Sequence, residues 1–318
     1  MFPVQPTQLA SVVPFARMVQ ERGSGRLWLG QSLGIETHQV FAALSGAGFN
    51  IPFGAAVSLA GLRHPMDAAV QARSVAQLSG HPYVAGIGPG GREFQTMVRS
   101  KPLPKPVTVA REYVTTMRAL IERENGADTD GAEYVTHGAI PRTPAPRVEL
   151  GLGVLRPAMA RAAGRVADVG ITWLTPPAYI SGTLVPEMRK AAEEAGRPMP
   201  RLATVVQAAV ARPGRNIADL AYAASSMHLS SDHYTDMLRK AGIPARPNDP
   251  RQGAELLASS GTFVSGTPQE IAAGLDRYRA AGVDEVVINL CGVYQGIGMG
   301  AAVTDLREIL RAVDGDCG

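Results

Sequence analysis

Cysteine is nearly absent from the 318-residue chain, which holds only Cys291 and Cys317. Two thiols exclude a disulfide framework and a thiolate metal site, and they fit a reducing cytoplasm. The six histidines, at positions 38, 64, 81, 137, 228 and 233, show no H-x-x-x-H spacing, and neither an H-E-x-x-H nor a D-x-D-x-D string occurs. No metal site is expected on that pattern. Charge of one sign is also lacking: Lys+Arg 31 against Asp+Glu 28 leave +3, and no basic run exceeds two adjacent residues. Neither a nucleic-acid-binding stripe nor a polybasic membrane patch is therefore expected. The opening residues carry neither the basic start nor the apolar core of a signal peptide. Thr37 to Leu62 is free of charge and long enough to cross a bilayer. Gly46, Gly48, Asn50, Pro52 and Gly54 interrupt it, so it reads as a helix end, a turn and a buried strand of a non-membrane protein. There is no G-x-x-x-x-G-K-[ST] loop. With no metal site and no acid–base pair read in the sequence, a bound organic cofactor is expected to carry the hard chemistry.

Apolar residues make up 45% of the chain, enough for a full-sized core. Short apolar runs of strand length stand at Arg26–Gly30, Phe49–Val57, Tyr83–Gly88, Val148–Gly153, Val166–Ile171, Ala203–Val210 and Glu285–Leu290. A starting strand near Pro3–Val4 would bring them to eight. Helical patterns lie between, at Leu9–Glu21, Glu36–Ser45, Pro65–Leu78, Val107–Arg123, Pro157–Arg165, Pro186–Ala195 and Pro268–Ala281. Such alternation predicts a parallel sheet covered by helices, and near-continuous apolar strands predict burial on both faces. Two stretches interrupt it. Gly91–Pro106 reads as a long, polar, proline-rich loop, and Asn216–Ala258 as a helical insertion before the last βα unit. No linker divides the chain, so residues 1–318 are expected to form one domain.

Three local signals bear on function. Thr267, Pro268 and Glu270 have the spacing of a helix N-cap, first position and capping-box glutamate. Gly86, Gly88 and Gly91 match the G-x-G-x-x-G pattern after a strand. A proline-rich stretch follows, and no acidic residue stands at a second strand end, so a turn bringing backbone near a ligand fits better than a dinucleotide site. A plain turn remains the alternative. Arg156 precedes a helix opened by Pro157, where free N–H groups and a guanidinium would suit an anion; a solvated loop arginine is the other reading.

Several strings taken together resemble the luciferase-like flavin and deazaflavin oxidoreductases. They are Gly54-Ala-Ala-Val57, Arg63-His64-Pro65, Gly86-Ile-Gly88-Pro-Gly90, Glu112-Tyr113-Val114, Arg156-Pro157-Ala-Met159, Ala163-Gly164-Arg165-Val-Ala167-Asp168 and Thr262-Phe263-Val264-Ser265-Gly266-Thr267-Pro268. They occur in family order, from about Val12 to Leu290. The resemblance implies a (β/α)8 TIM barrel with its active face at the strand C-termini. It also implies a bulge, often with a cis peptide, that supports the cofactor ring; here the matching bond is Ala56–Val57. Gly88, Pro89 and Gly90 would pass near the cofactor, Leu155, Arg156 and Pro157 would hold its phosphate, and His64 would stand at the ring's rim. Gln31-Ser32 stands where relatives often carry an acidic residue and a histidine, so no catalytic residue is assigned, and Gln31, Ser32 and His64 are the candidates. Gly91 replaces the glutamate of the deazaflavin sugar-phosphate dehydrogenases.

The resemblance thus implies an oxidoreductase dependent on coenzyme F420, a reductase delivering hydride to an activated C=C or C=N of a small-molecule or peptidic substrate. A dehydroamino acid in natural-product tailoring is one such substrate. An FMN-dependent monooxygenase is the alternative, and a flavin-binding protein without turnover a third. Whether the chain forms a homo-oligomer stays open at this level.

Overall fold

A computed structural model describes residues 1–315. From the N-terminus come α1 (Leu9–Arg22), β1 (Leu27–Leu29), α2 (Thr37–Gly46), β2 (Phe53–Leu59), α3 (Pro65–Ser79), β3 (Tyr83–Gly88), α4 (Arg92–Arg99) and α5 (Pro106–Glu122). A hairpin of β4 (Ala127–Asp130) and β5 (Val135–Gly138) leads into β6 (Val148–Gly153), α6 (Pro157–Val166), β7 (Val169–Trp173), α7 (Pro177–Tyr179) and α8 (Val185–Glu194). Next are β8 (Arg201–Val210), α9 (Ile217–Leu229), α10 (Asp232–Lys240) and α11 (Pro250–Ser259). The chain ends in β9 (Val264–Gly266), α12 (Pro268–Ala280), β10 (Glu285–Asn289), α13 (Cys291–Gly296) and α14 (Met299–Asp314). The class is α/β, with mostly parallel strands and surrounding helices, as the alternation in the sequence requires.

The chain divides into two compact units, one of Gln5–Ile171 with Glu187–Pro200, the other of Met1–Val4, Thr172–Pro186 and Arg201–Gly318. In the first unit β1, β2, β3, β6 and the start of β7 pair in that order, all parallel. Gly86 and Gly151 sit opposite each other in the β3–β6 ladder. A Cβ on Gly86 would stand 2.0 Å from the Ala55 carbonyl oxygen, so β2 and β3 approach as they do only because that position is glycine. His64 and Pro65 open α3, and Gly80, at φ +71°, closes it. Asp168 ties the strand starts together: it accepts from the Leu150 N–H at 2.8 Å and pairs with Arg118 at 3.0 Å.

In the second unit β8 pairs with β10 along its length and with β9 at its C-terminal end, again in parallel. The helices α9, α10 and α11 form the expected insertion, placed between β8 and β9. The Thr267 capping box is made in full, its hydroxyl accepting from the Glu270 N–H at 3.2 Å and the Glu270 carboxylate from the Thr267 N–H at 2.7 Å. Asp305, fully buried, is compensated by Arg215 at 2.5 Å and Arg212 at 3.0 Å.

Four expectations change. Pro3–Val4 is not a strand; this segment meets β10 through the Met1 amine, which donates to the Ile288 carbonyl at 2.8 Å, and Pro3 has no N–H to extend a ladder. A short strand absent from the apolar runs, β9, stands at Val264–Gly266. Gly91–Pro106 is not all loop, since Arg92–Arg99 is helical. The hairpin β4–β5 was hidden because its strands, ADTD and VTHG, are mostly polar. No helix among the described residues is long and apolar enough to cross a membrane.

Candidate cofactor site

The site begins with an irregularity in β2. The pairing of β2 with β3 shifts register between Ala55 and Ser58, and inside that bulge the Ala56–Val57 peptide is cis. Ala56 is buried, whereas Val57 is half-buried, an apolar side chain left partly open at a strand end. Val57 rests on glycines: a Cβ on Gly88 would lie 2.6 Å from its Cγ2, and one on Gly153 would lie 3.5 Å from its Cγ1. The C-terminal ends of β2, β3 and β6 thus form a shallow platform with Val57 at its centre, and a methyl group on Gly88 would occupy the space Val57 uses.

Gln31, a catalytic candidate from the sequence, braces this bulge. Its backbone N–H donates to the Val57 carbonyl at 3.1 Å, and its side-chain oxygen accepts from the Leu59 N–H at 3.2 Å. Its amide nitrogen donates to the Ser32 carbonyl at 2.9 Å. Ser32 is buried, and its hydroxyl accepts from the Gly34 N–H at 3.1 Å, closing a tight turn. Both side chains therefore hold the loop after β1 against the bulge.

His64 is exposed and caps α3, its Nδ1 accepting from the Met66 N–H at 3.2 Å. The neutral ring then carries its proton on Nε2. His64 packs edge-on against Tyr134, with centroids 5.9 Å apart. Tyr134 donates to the Ala60 carbonyl at 2.9 Å and Tyr113 to the Arg63 carbonyl at 3.1 Å, so two phenols pin the segment Ala60–His64. Burial raises both phenol pKa values above the ordinary range, which leaves them protonated near neutral pH.

Below this segment lies a polar chain. The Glu36 carboxylate meets His38 Nδ1 at 2.9 Å and Arg63 at 3.1 Å, while His38 Nε2 meets the Tyr83 hydroxyl at 3.1 Å. Burial alone would raise Glu36. The hydrogen bond and charge of His38, the Gln39 N–H and the Arg63 charge outweigh it and hold the carboxyl down at about 2.

The loop Gly88–Pro89–Gly90 is secured by a residue that gave no sequence signal. The buried Gln95 of α4 donates to the carbonyls of Pro89 at 3.2 Å and Gly90 at 2.8 Å, and accepts from the Leu103 N–H at 2.8 Å. Only the amphipathic pattern of α4 could have pointed to it. Arg99 of the same helix pairs with Glu133 of the hairpin and is not available to a ligand. Arg156 is exposed and extended, at φ −138° and ψ 162°, just before α6, which has no side-chain N-cap. Leu155 and Pro157 flank it half-buried. This helix start follows Gly153, and so the platform, by a few residues; Pro157 there has no N–H, and the Met159 N–H is taken by the Arg156 carbonyl at 3.0 Å.

Ala56, Val57, Gly88, Pro89, Gly90, Leu155, Arg156 and Pro157 thus all stand at or just after the ends of three adjacent parallel strands. His64 belongs to the same region but turns toward Met66 and Tyr134. The donor set suits a flat, apolar ring with an anionic tail: a bare backbone platform under Val57, and a helix start with an arginine.

The family model for luciferase-like monooxygenases matches residues 2–285. Among solved structures, the chain is similar to the coenzyme F420-dependent tetrahydromethanopterin reductase from Methanopyrus kandleri, with a TM-score of 0.73, 16% identity, and 96% of each chain covered. It is similar to an F420-dependent secondary alcohol dehydrogenase in complex with an F420–acetone adduct, with a TM-score of 0.70 and 17% identity over 95% of this chain and 94% of that one. A third is the oxygenating constituent of 3,6-diketocamphane monooxygenase from Pseudomonas putida in complex with FMN, at 0.69 and 16% over 98% and 95%. At these identities the likeness is one of fold, the α/β fold of mostly parallel strands expected from the sequence. The family match spans most of the chain, and the protein belongs to the luciferase-like monooxygenase family.

Proposed function

We propose that the protein is a reductase that binds reduced coenzyme F420, whose deazaflavin C5 supplies hydride to an electron-poor C=C or C=N of a small-molecule or peptidic substrate. The observation that carries this reading is the Val57 platform, set on glycines and braced by Gln31, with no acid–base pair built into it. Hydride transfer asks for donor and acceptor carbons held ~3–3.5 Å apart, so rigid positioning contributes much of the catalysis. Val57 would support the ring, Gly88 and Gly153 would leave it room, and Ala56 would lie close beneath it. Arg156, at the start of α6, would bind the phosphate.

Arg92, Lys101 and Lys105 are exposed and have no ion-pair partner among the described residues, and Arg92 opens α4 one residue after the Gly88–Gly90 loop. Such charge suits the polyanionic glutamyl tail of a deazaflavin better than the single phosphate of FMN. Solvent, or the Nε2–H of His64 at the rim, would provide the completing proton. Two of the fold neighbours described above are named for F420 dependence, which supports the same choice.

Titration of the purified protein with F420 and with FMN, followed by oxygen consumption, tests the proposal. Tight F420 binding without oxygen uptake is expected. Preference for FMN with oxygen uptake would make the protein a monooxygenase, and binding of neither would overturn the cofactor reading. Ala56→Trp should abolish F420 binding while the protein remains folded by thermal unfolding; a folded variant with normal affinity would place the ring elsewhere.

A further inference from the structure

Trp173 closes β7, and its indole lies against the imidazole of His228 on α9, ring centroids 5.3 Å apart and planes inclined by 29°. His228 in turn meets Tyr234 of α10 edge-on at 4.9 Å. The buried Gln207 and Tyr278 of this unit are paired. Gln207 donates to the Ala224 carbonyl at 3.0 Å and accepts from the Ser225 hydroxyl at 2.6 Å, and the Tyr278 hydroxyl donates to the Thr262 carbonyl at 3.3 Å. Trp173 Nε1 and His228 Nδ1 depart from that pattern, since both atoms are buried and neither has a hydrogen-bond partner among the described residues.

An indole N–H can only donate, and a buried donor left unmade is unfavourable. Two such groups in rings stacked on each other are therefore an unusual pairing, and both come from segments where ligands are read in α/β folds: a strand C-terminus and an inserted helix. Burial, and then the neighbouring His233, lower the His228 pKa to about 4, so the ring is neutral near pH 7. A neutral imidazole beside an indole offers no charge for an anion. It suits an uncharged oxygen acceptor.

We propose that Trp173 and His228 form a recognition pair for a small, uncharged, conjugated carbonyl compound, with Trp173 Nε1–H donating to the carbonyl oxygen and His228 Nδ1 making the second polar contact. Binding at this pair does not depend on the function proposed above. Trp173 then selects for a conjugated carbonyl and against hydrocarbons of the same shape.

The chain has two tryptophans, so a 15N-labelled sample shows two indole N–H resonances, and Trp28→Phe identifies that of Trp28. The full chain, with and without F420, is titrated with 2-cyclohexen-1-one and with cyclohexene. The Trp173 resonance is expected to move downfield saturably with the enone and not with cyclohexene. In His228→Phe, which keeps a stacked ring, the enone should bind at least fivefold more weakly. No saturable shift with the enone, an equal shift with cyclohexene, or unchanged affinity in His228→Phe would each overturn the proposal. Should His228→Phe fold poorly, the enone–cyclohexene comparison in the native chain decides alone. A protein that binds the enone but neither F420 nor FMN would lose the reductase reading and keep this one.

Discussion

The platform at the ends of β2, β3 and β6 and the ring cluster at the end of β7 are built on opposite plans. The platform is backbone: glycines at 86, 88, 151 and 153, a cis peptide, and carbonyls and N–H groups satisfied by Gln31 and Gln95. The cluster is side chain: three rings from one strand and two helices, with two nitrogens left unpaired. A backbone platform fixes the place of a ligand with high precision and little chemical discrimination. Unpaired side-chain groups discriminate chemically and are easily exchanged. The first plan suits a cofactor that every turnover uses again, the second a ligand that must be chosen among similar molecules.

The comparison breaks first at Gly86. A methyl group there would meet the Ala55 carbonyl at 2.0 Å and Ile171 Cδ1 at 2.4 Å, and neither a backbone oxygen nor a packed core residue can withdraw freely. Overpacking commonly costs about 1–3 kcal/mol and more against backbone. Gly86→Ala should lose most of its folded protein, seen as a collapse of expression or a large drop in the urea midpoint. Trp173→Phe, in the side-chain-built region, should unfold close to the wild-type midpoint. Equal losses in the two variants would remove the distinction between the plans.

Arg156→Ala comes next and sharpens the cofactor half. A charge-assisted hydrogen bond is worth roughly 1.5–3 kcal/mol, so F420 affinity should fall about tenfold or more. Unchanged affinity would move the phosphate away from the start of α6. Gln31→Met should have a smaller effect. It keeps the volume but leaves the Leu59 N–H without its acceptor, which costs on the order of 1 kcal/mol and loosens the bulge. F420 affinity should drop severalfold in calorimetric titration, and an unaffected affinity would mean the bulge holds without its brace.

Why one region was legible in the sequence and the other was not follows from the same contrast. Glycines announce themselves: the spacing of Gly86, Gly88 and Gly90 after an apolar run marked the platform, as Pro157 marked the start of α6. Thr267 and Glu270 marked a capping box by spacing alone. Elements whose partners are distant gave no such sign. Val264–Gly266 is a strand only because β8 extends far enough to pair with it, and the polar hairpin Ala127–Gly138 is held by the Tyr134, Glu133 and Glu112 contacts of its own unit. Gln31 read as a candidate catalyst because sequence shows an amide and not the two backbone groups it serves. The pairing of Trp173 with His228 spans 55 residues and follows no period.

The smallest expected effect lies beneath the platform, at Glu36. Its carboxyl titrates at about 2 in the folded protein against an ordinary value of 4.5, because His38, the Gln39 N–H and Arg63 together overcome the opposing effect of burial. A folded-state pKa below the unfolded one means that the unfolded chain takes up the proton first as pH falls. The stabilisation is therefore complete above the unfolded value, declines below pH 4.5, and is gone by about pH 2. Glu36→Gln removes that titration while leaving an acceptor oxygen for the neighbouring N–H groups. Between pH 7 and pH 5 the two proteins should differ by a constant margin in urea unfolding. From pH 4.5 downward the margin should narrow, as wild type loses what the variant never had. The effect should be modest, since the Glu36 side chain is 30% exposed and solvent screens part of its pairing with Arg63. Curves that stay parallel down to pH 3 would show that Glu36 is not held in this state.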